Sequence, residues 1–276
     1  MSAMKSFKKI TLLGSGICGD VWACLDSGGQ VLAVKFFKRD PRAAENEFRT
    51  GMSLSHPNIL RPIEFGILEG TPVMTMPFLE GRSVENLAGF VSERIAWQLM
   101  RDIASVMVYL YGKGLCHGDI KPSNILWNGK DFLLGDWGAC CRLGDKTLES
   151  DQSSFQYCPP EKNKTDKSDI WSLGASVFFL VMGSPVFSGL GGRAQKKESN
   201  VPLMRKSLPE LSACIKACLS YFPEDRPSAA DLVAIAEEQL KRCDSQRPVR
   251  QLKPYSQPSI SDPHADFWPE VMIDTR

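Results

Sequence analysis

The sequence predicts an α+β protein with two lobes: a small N-terminal antiparallel β-sheet lobe with one helix, and a larger, mainly α-helical C-terminal lobe. Two observations support this prediction. Residues 7–78 consist of short β-type runs separated by turn residues and interrupted by one helical pattern at residues 41–55. After Gly81 the apolar periodicity becomes helical and remains so to about residue 243.

The N-terminal strands are predicted from apolar runs around glycines. "FKKITLLGSG" and "GDVWACL" flank a glycine-rich turn, and the "SGG" turn at residues 27–29 leads into "QVLAVKFF". Pro41 suits the first turn of a helix over residues 41–55, where apolar side chains recur at helical spacing. Two further strands are predicted on either side of a turn at Glu69-Gly70.

Helices dominate the rest of the domain. Ser92 is a suitable N-cap for "ERIAWQLMRDIASVMVYLYGKG", and Gly112 or Gly114 would end that helix. "DKSDIWSLGASVFFLVMG" predicts a strongly apolar, buried helix, and "LPELSACIKACLSYF" and "PSAADLVAIAEEQLKRC" predict two amphipathic helices. "ILW" and "FLLGDW" fit short strands between the first two helices.

These elements predict one domain followed by a tail. The expected parts are a domain at residues 7–243, with an N-lobe at about 7–78, a hinge at 77–81 and a C-lobe at about 82–243, and a tail at 244–276. The tail is rich in proline, serine and charge, and it contains the aromatic cluster Phe267-Trp268-Pro269. We expect it either to be flexible or to dock on its own domain or on a partner.

The bulk composition argues against several functional classes. The chain is 43% hydrophobic and 24% charged with a net charge of +1, so nothing electrostatic indicates a nucleic-acid or membrane-surface partner. The apolar run at residues 173–182 is too short to span a bilayer, and residues 1–10 lack the apolar core of a secretory signal. Nine cysteines without CxxC spacing are typical of reduced thiols. We therefore expect a cytoplasmic protein with no nucleic-acid partner and no membrane insertion.

Two features of the N-lobe suggest phosphate chemistry. Gly14, Gly16 and Gly19 lie between predicted strands, where glycines let backbone N–H groups approach phosphate oxygens closely. The strand that follows argues against a dinucleotide-binding fold, which would place a helix there. Lys35 ends the strand "LAVK" and could offset phosphate charge if Glu47 held it. Taken alone, the glycine motif is better explained as a plain hairpin turn, and Lys35 is better explained as a solvated lysine.

Seven motifs together indicate a family. "GSGICGDV", "AVK", "HGDIKPSN", "DWG", "PPE", "DIWSLG" and "DRP" occur in this order along the chain. In order and approximate spacing they resemble the eukaryotic-type (Hanks-type) serine/threonine protein kinase catalytic domain, over about residues 7–240. Each motif alone is weak, but seven in register are highly specific. The resemblance implies the bilobal protein-kinase fold with a cleft between the lobes.

The resemblance implies catalytic roles for five residues. Asp119 would accept the proton of the substrate hydroxyl, and Lys121 would contact the transferred phosphoryl group. Ser154 would face the substrate beside both of them. Lys35 would pair with the nucleotide phosphates and with Glu47.

The implied cofactors are ATP and Mg²⁺, with Mn²⁺ as an alternative ion. Asn124 and Asp136 would hold the metal, because amide and carboxylate oxygens are hard ligands suited to Mg²⁺. Val21, Ala33 and Leu126 would enclose adenine, while Met76 would set the depth of its pocket. The full set of implied nucleotide-binding residues is Gly14, Gly16, Gly19, Val21, Ala33, Lys35, Met76, Phe78, Leu79, Leu126 and Asp136.

Other motif residues have implied structural roles. Glu161 and Arg226 would form a buried ion pair in the C-lobe, and Asp169 would support the catalytic loop. His117 would pack against the "DWG" motif, which we favour over an acid–base role.

Four residues depart from the family's pattern, and the mildest change is Pro159 in place of the alanine of the usual "APE" triplet. Gly118 stands where an arginine that pairs with a phosphorylated loop is usual, so we expect activity without activation-loop phosphorylation. Trp137 replaces a phenylalanine and should still act as an apolar plug. Gly51 stands where a bulky residue is usual, so either Met52 fills the space or the helix register differs by one residue.

The sequence favours one function and leaves two alternatives. Lys121, "PPE", "DIWSLG" and "DRP" favour phosphorylation of serine and threonine hydroxyls on protein substrates, which the sequence does not name. The "HGD....N" pattern also occurs in aminoglycoside and choline phosphotransferases, and Gly118 keeps this small-molecule alternative open. A pseudokinase scaffold is the other alternative, although every residue expected for catalysis is present.

Three cysteines lie close to the expected nucleotide site, namely Cys18, Cys140 and Cys141. A thiol reacts readily with oxidants only when its pKa is lowered, which a sequence does not reveal. Inert thiols are therefore the favoured interpretation, with oxidant sensing as the alternative.

Overall fold

The protein is described by a computed structural model, which covers residues 6–38, 40–80, 83–145, 152–187, 189, 191–195, 201 and 208–245. The N-lobe strands are β1 (Lys8–Ser15), β2 (Gly19–Leu25), β3 (Val31–Phe37), β4 (Glu64–Leu68) and β5 (Thr71–Pro77). They form one antiparallel sheet in the order β1-β2-β3-β5-β4. The N-lobe helix α1 spans Pro41–Ser53. The predicted five-stranded lobe with one helix is confirmed.

Local chemistry explains where these elements begin and turn. The carboxylate of Asp40 accepts a hydrogen bond from the Arg42 backbone N–H at 3.0 Å, and Pro41 occupies the first turn of α1. Glu69 and Gly70, between β4 and β5, both have positive φ angles, 49° and 80°. A two-residue hairpin of this kind matches the twist of the strands that it joins.

The C-lobe is mainly helical, as predicted. Its helices are α2 (Glu93–Tyr111), α3 (Asp166–Met182), α4 (Pro209–Cys218) and α5 (Ala229–Ser245). Short antiparallel pairs join β6 (Leu115–Cys116) to β9 (Cys141–Arg142) and β7 (Ile125–Trp127) to β8 (Phe132–Leu134). These pairs bring the loop before β7 beside the loop after β8, and this juxtaposition builds the site described below.

The C-lobe core forms around α2 and α3. The apolar sequence of α3 leaves almost all of its residues buried, and Trp97 of α2 and Trp171 of α3 are fully enclosed. Thr165 forms a capping box at the start of α3, and Gly183 ends the helix with a φ of 78°. α5 packs along α2 and completes this core.

The end of the described C-lobe lies two residues beyond the predicted domain boundary. α5 continues to Ser245, and the rest of the predicted tail, residues 246–276, lies outside the described residues. In the described ranges, no helix combines the length and the apolar character that a membrane crossing requires.

Candidate active site

Three charged side chains meet on the inner side of the N-lobe sheet. Lys35 projects from β3, and its Nζ donates a hydrogen bond to Oε1 of Glu47 on α1 at 2.7 Å. The same Nζ lies 3.4 Å from Oδ1 of Asp136, which follows β8. Burial disfavours the charged lysine, but Asp136 and Glu47 together raise the pKa of Lys35 above its ordinary value. The lysine therefore keeps its charge at neutral pH.

The residues expected around adenine share one face of the N-lobe sheet. Val21 on β2 pairs with Lys35 on β3, and Ala33 on β3 pairs with Met76 on β5. Directly paired residues of an antiparallel sheet lie on the same face, and so do residues two apart on one strand. Val21, Ala33 and Met76 therefore line the same face as the Lys35 ammonium group.

The glycine-rich connection joins β1 to β2 above this face. The backbone N–H of Gly16 donates to the Gly19 carbonyl oxygen at 3.0 Å, which closes the turn. A Cβ atom on Gly19 would lie 2.3 Å from the carbonyl oxygen of Phe36, so glycine is required there. At Gly14 no described atom comes within 4 Å of a Cβ position. Gly19 is therefore tightly packed, whereas the backbone at Gly14 and Gly16 has free space beside it.

The loop between β6 and β7 contains Asp119, Lys121 and Asn124. Lys121 Nζ donates to Asp119 Oδ2 at 2.7 Å. Asn124 Nδ2 donates to the Asp119 backbone carbonyl oxygen at 2.8 Å and to Oδ2 at 3.3 Å. The Asp119 and Lys121 side chains are 24% and 17% exposed, so both are partly accessible to solvent.

Buried polar contacts fix the start of this loop. The backbone N–H groups of His117 and Gly118 donate to the two carboxylate oxygens of Asp169 at 2.8 and 2.9 Å. The His117 ring is fully buried, lies 3.1 Å from the Gly135 carbonyl oxygen through Nε2, and packs edge-on against Trp137. Burial raises the pKa of Asp169, although His117 and the two N–H donors oppose this shift. The structure thus brings His117 and Asp169 to the positions expected for structural supports.

Asp136 adopts an unusual backbone conformation. Its φ of 62° and ψ of 86° lie in the left-handed region, which non-glycine residues seldom adopt and aspartate tolerates better than most. The Oδ1 atom of Asp136 also accepts a hydrogen bond from the Gly138 backbone N–H at 3.3 Å. Burial disfavours ionisation of Asp136, but the charges of Lys35 and Lys121 outweigh it and lower the pKa of this carboxyl group. The side chain is therefore an anion at neutral pH.

The donor atoms at this point fit a magnesium ion. Asp136 offers an ionised, partly exposed carboxylate, and Asn124 uses Nδ2 for its contacts with Asp119, which leaves its amide oxygen for a cation. Carboxylate and amide oxygens are the ligands that Mg²⁺ accepts, and Mg²⁺ keeps several other positions for water and phosphate. The described residues contain no cluster of three histidine, cysteine or acidic side chains that would indicate an all-protein metal cage.

The structure describes the side chains of three of the four remaining predicted site residues, Phe78, Leu79 and Leu126, but not that of Ser154. Phe78 and Leu79 follow β5 and are half-buried. Leu126 on β7 forms an isolated antiparallel bridge with Ser83, which holds it beside the chain that connects the lobes. Ser154 belongs to a 3₁₀ turn at Gln152–Tyr157, but its side chain lies outside the described part of the structure, so its predicted contact with Asp119 stays a prediction.

The predicted C-lobe ion pair is present. Arg226 Nη1 and Nη2 donate to the two carboxylate oxygens of Glu161 at 2.7 and 2.8 Å. The Arg226 side chain is completely buried and also donates to the Ser220 and Lys167 carbonyl oxygens. A bidentate pair of this type fixes the segment that leads into α3.

Sequence reasoning missed one residue next to the site. Lys164 is 8% exposed, and its Nζ lies 3.4 Å from the carbonyl oxygens of both Gly118 and Ala139. The segment "EKNKTDKS" is polar and contains three lysines, so nothing in the sequence separates Lys164 from a solvent-exposed lysine. Only the fold shows that Lys164 is buried.

Comparison with known proteins agrees with this geometry. A family model described as the protein kinase domain matches residues 7–236. A Wee1-like protein kinase of Arabidopsis thaliana is 34% identical over 148 residues, which cover 52% of this chain and 29% of that protein. Serine/threonine-protein kinase STE20 of Saccharomyces cerevisiae is 27% identical over 249 residues, covering 82% of this chain and 26% of that protein.

The match to a third relative covers similar shares of the two proteins. Serine/threonine-protein kinase ppk11 of Schizosaccharomyces pombe is 28% identical over 246 residues, which are 81% of this chain and 78% of that protein. In contrast, the chain spans less than a third of the length of the Arabidopsis and STE20 relatives. What those relatives share with this chain is therefore the catalytic domain.

Proposed function

The chain belongs to the protein kinase domain family, and from that premise we propose that it transfers the γ-phosphoryl group of ATP to serine and threonine hydroxyls of proteins. One observation carries the proposal: Lys35 contacts Glu47 at 2.7 Å and Asp136 at 3.4 Å, so the charged groups expected around the phosphates are already assembled. Phosphoryl transfer depends mainly on such positioning and on electrostatic stabilisation.

Each residue of the site then has a definite task. Lys35 holds the nucleotide phosphates, because Glu47 fixes its ammonium group and keeps it charged. Both described side-chain contacts of Asp119 go to Oδ2, which leaves Oδ1 to accept the substrate hydroxyl and its proton. Lys121 Nζ contacts the other carboxylate oxygen, Oδ2, and so places a positive charge beside Asp119, where it can offset the negative charge of the transferred phosphoryl group.

The cofactor residues follow from the same geometry. Protein kinase domains use ATP and Mg²⁺, which supply the phosphoryl group and neutralise its charge. We assign Asp136 and Asn124 to the metal, with Mn²⁺ as an alternative ion, and the open backbone at Gly14 and Gly16 to the phosphates. Val21, Ala33, Met76, Phe78, Leu79 and Leu126 are assigned to the adenine side.

The proposed activity does not need a phosphorylated activation segment. Gly118 replaces the arginine that usually pairs with such a phosphate, yet the loop around Asp119 is held by buried contacts to Asp169. Replacing Thr147, Ser150 and Ser153 with alanine, with Ser154 unchanged, should leave most activity. A collapse of activity in this triple variant would contradict the proposal.

The wider context also remains a proposal. We propose that the protein acts in the cytoplasm on protein substrates, without a nucleic-acid partner and without membrane insertion. The tail at 244–276 would dock on its own domain or on a partner through Phe267 and Trp268.

The test is a transfer assay with radiolabelled ATP, Mg²⁺ and a generic protein such as casein. We expect phosphoserine and phosphothreonine in the product, and a loss of about 100-fold or more for Asp119→Ala. Asp136→Ala should be similarly inactive because it removes the metal ligand. Glu237→Ala, which removes an exposed acid of α5, is the matched control and should keep full activity.

Two outcomes would favour the alternatives. Phosphate on an aminoglycoside or choline but never on protein would indicate a small-molecule phosphotransferase. The absence of both transfer and autophosphorylation in the wild type and in the Asp136→Ala variant would indicate a pseudokinase scaffold. The Lys35–Glu47 contact argues against the scaffold, and the Glu161–Arg226 pair argues against the small-molecule enzyme.

A further inference from the structure

A buried cation lies behind the catalytic loop. Lys164, in the segment before α3, is 8% exposed, and its Nζ lies 3.4 Å from the carbonyl oxygen of Gly118. The same Nζ lies 3.4 Å from the carbonyl oxygen of Ala139, at the end of the short turn that follows Asp136. One ammonium group therefore contacts both the loop that carries Asp119 and the loop that carries Asp136.

The backbone of Lys164 adds a third connection. Its N–H donates to the Asp145 carbonyl oxygen at 2.8 Å, and its carbonyl oxygen accepts from the Gly144 N–H at 2.7 Å. Gly144 and Asp145 follow β9 after one intervening residue, and β9 pairs with β6 just before His117. Lys164 is thus fixed at its backbone by the chain that leaves the metal-binding loop.

Glycine at position 118 makes room for this lysine. Gly118 has a φ of 78°, and a Cβ atom there would lie 2.5 Å from Lys164 Nζ and 2.7 Å from the Ala139 carbonyl oxygen. Any side chain at 118 would have to displace the ammonium group or the Ala139 peptide. The replacement of arginine by glycine and the burial of Lys164 are therefore two parts of one arrangement.

Gly118 is held through both of its backbone polar groups, which belong to the two peptide groups on either side of its Cα. Its N–H donates to Asp169 Oδ1 at 2.9 Å, while its carbonyl oxygen faces the Lys164 ammonium group. The Gly118 carbonyl shares a peptide group with the Asp119 N–H, so the orientation of Asp119 depends on the plane that Lys164 contacts. At 3.4 Å the two lysine contacts act mainly as charge–dipole attraction, which is stronger in a buried site than in water.

We propose that Lys164 is a positioning residue for phosphoryl transfer, which holds the Asp119 and Asp136 loops together through the carbonyls of Gly118 and Ala139. Lys164 takes over the role of the contact that an arginine at 118 would make with a phosphorylated segment. Because the lysine contacts both loops directly, no phosphate is needed. The expected effect of Lys164 on kcat rests on the proposed function. The expected effect of Lys164 on the order of the two loops rests on the structure alone.

The test compares three variants of the full chain. Lys164→Met keeps a similar length without charge, Lys164→Arg keeps the charge, and Lys162→Met changes an exposed lysine two residues away. We expect Lys164→Met to lower kcat about tenfold, as loss of a charged contact would, with the Kd for Mg·ADP within about twofold. Lys164→Arg should recover most of kcat, and Lys162→Met should match the wild type.

Amide hydrogen exchange gives a readout that needs no activity. In Lys164→Met we expect exchange about tenfold faster in peptides covering residues 117–121 and 136–141, with α2 and α5 unchanged. If the wild type transfers no phosphate, the proposed function fails, but this exchange pattern still decides whether Lys164 ties the loops.

Two results would overturn the inference. The first is wild-type exchange in both loops of Lys164→Met. The second is equal impairment of Lys164→Met and Lys164→Arg with faster exchange throughout the C-lobe, which would show that Lys164 only packs.

Discussion

A Cβ atom on Gly51 would lie 2.8 Å from Cδ1 of Trp137, so the missing side chain of α1 and the oversized plug of the "DWG" motif occupy the same space. Pro62 encloses the same space, with its Cδ also 2.8 Å from that Cβ position. The indole is 3% exposed, and its Nε1 donates to the Leu60 carbonyl oxygen at 3.3 Å. Gly51 lies on the buried side of α1, four residues after the buried Glu47, so the alternative of a helix register that differs by one residue was wrong. Trp137 and Pro62 border this space, whereas the other alternative assigned it to Met52.

This relationship predicts that the two substitutions compensate each other. Gly51→Ala alone should overpack the site at a cost of about 1–3 kcal/mol of unfolding free energy, and Trp137→Ala alone, which removes the clashing Cδ1, should leave a cavity and an unpaired carbonyl at a cost of about 3–5 kcal/mol. The double variant should be more stable than the sum of the two predicts, by about 1 kcal/mol or more. Urea unfolding of the four proteins measures this coupling, with Met52→Leu as the control. Additive losses would show that the two sites are independent.

Elements whose formation depends on residues adjacent in the sequence were predicted correctly. The strands, the start of α1 at Pro41 and the Glu69-Gly70 turn depend on neighbouring residues, and the sequence predicted these elements. The candidate site residues were predicted from motif spacing, and the structure brings two of them, Lys35 and Glu47, into contact.

What the sequence could not reveal depends on contacts between distant segments. Gly51 appeared as a defect until the fold placed Trp137 against it. Lys164 appeared solvated until the fold buried it behind Gly118. The two-residue strands β6 and β9 are too short to leave a periodic signal, yet they align the loops that carry the site.

The lowered pKa of Asp136 predicts a specific dependence of stability on pH. A carboxyl group whose folded pKa lies below its usual 3.8 contributes stability above that value and loses it as pH falls through the folded pKa. Asp136→Asn tolerates the same backbone conformation but removes the charge. We expect the wild type to exceed this variant in unfolding free energy by a constant amount from pH 7 to about pH 5.

The difference should shrink only below about pH 4, and urea titrations at pH 7, 5, 4 and 3.5 measure it. The buried carboxylates Asp102 and Asp169 have raised pKa values and titrate in the opposite sense, but they are present in both proteins and cancel. A difference that already vanishes at pH 5.5 would contradict the lowered pKa of Asp136.

The adjacent cysteines of β9 and the preceding turn should differ in reactivity. Burial raises the pKa of Cys140 to about 12, which leaves almost no thiolate at neutral pH. Cys141 lies 3.4 Å from the Cys116 thiol, and the hydrogen bond from Cys116 lowers the pKa of Cys141. Iodoacetamide at pH 7.5 should therefore alkylate Cys141 faster than Cys140, as measured by peptide mass spectrometry. Cys116→Ala should slow the labelling of Cys141, whereas faster labelling of Cys140 would disprove this assignment.

The C-terminal end of α5 predicts where the chain can be shortened. The family match ends at residue 236, but Leu240 is only 7% exposed, and Asp244 accepts a hydrogen bond from Arg94 Nε on α2 at 2.7 Å. A chain ending at 236 should lose this packing and about 2–5 kcal/mol of unfolding free energy, as large losses of buried aliphatic side chains do. A chain ending at Ser245 keeps every described α5 contact and should show as much of the proposed kinase activity as the full chain.

The melting temperature of the 1–245 chain also tests the proposed docking of the tail. If Phe267 and Trp268 pack on the domain, 1–245 should melt several degrees below the full chain, because burial of two aromatic side chains stabilises the folded state. Phe267→Ala with Trp268→Ala in the full chain should then reproduce that decrease. Identical melting temperatures for all three proteins would exclude docking on the domain itself and would leave two alternatives, a flexible tail and a tail that binds a separate partner.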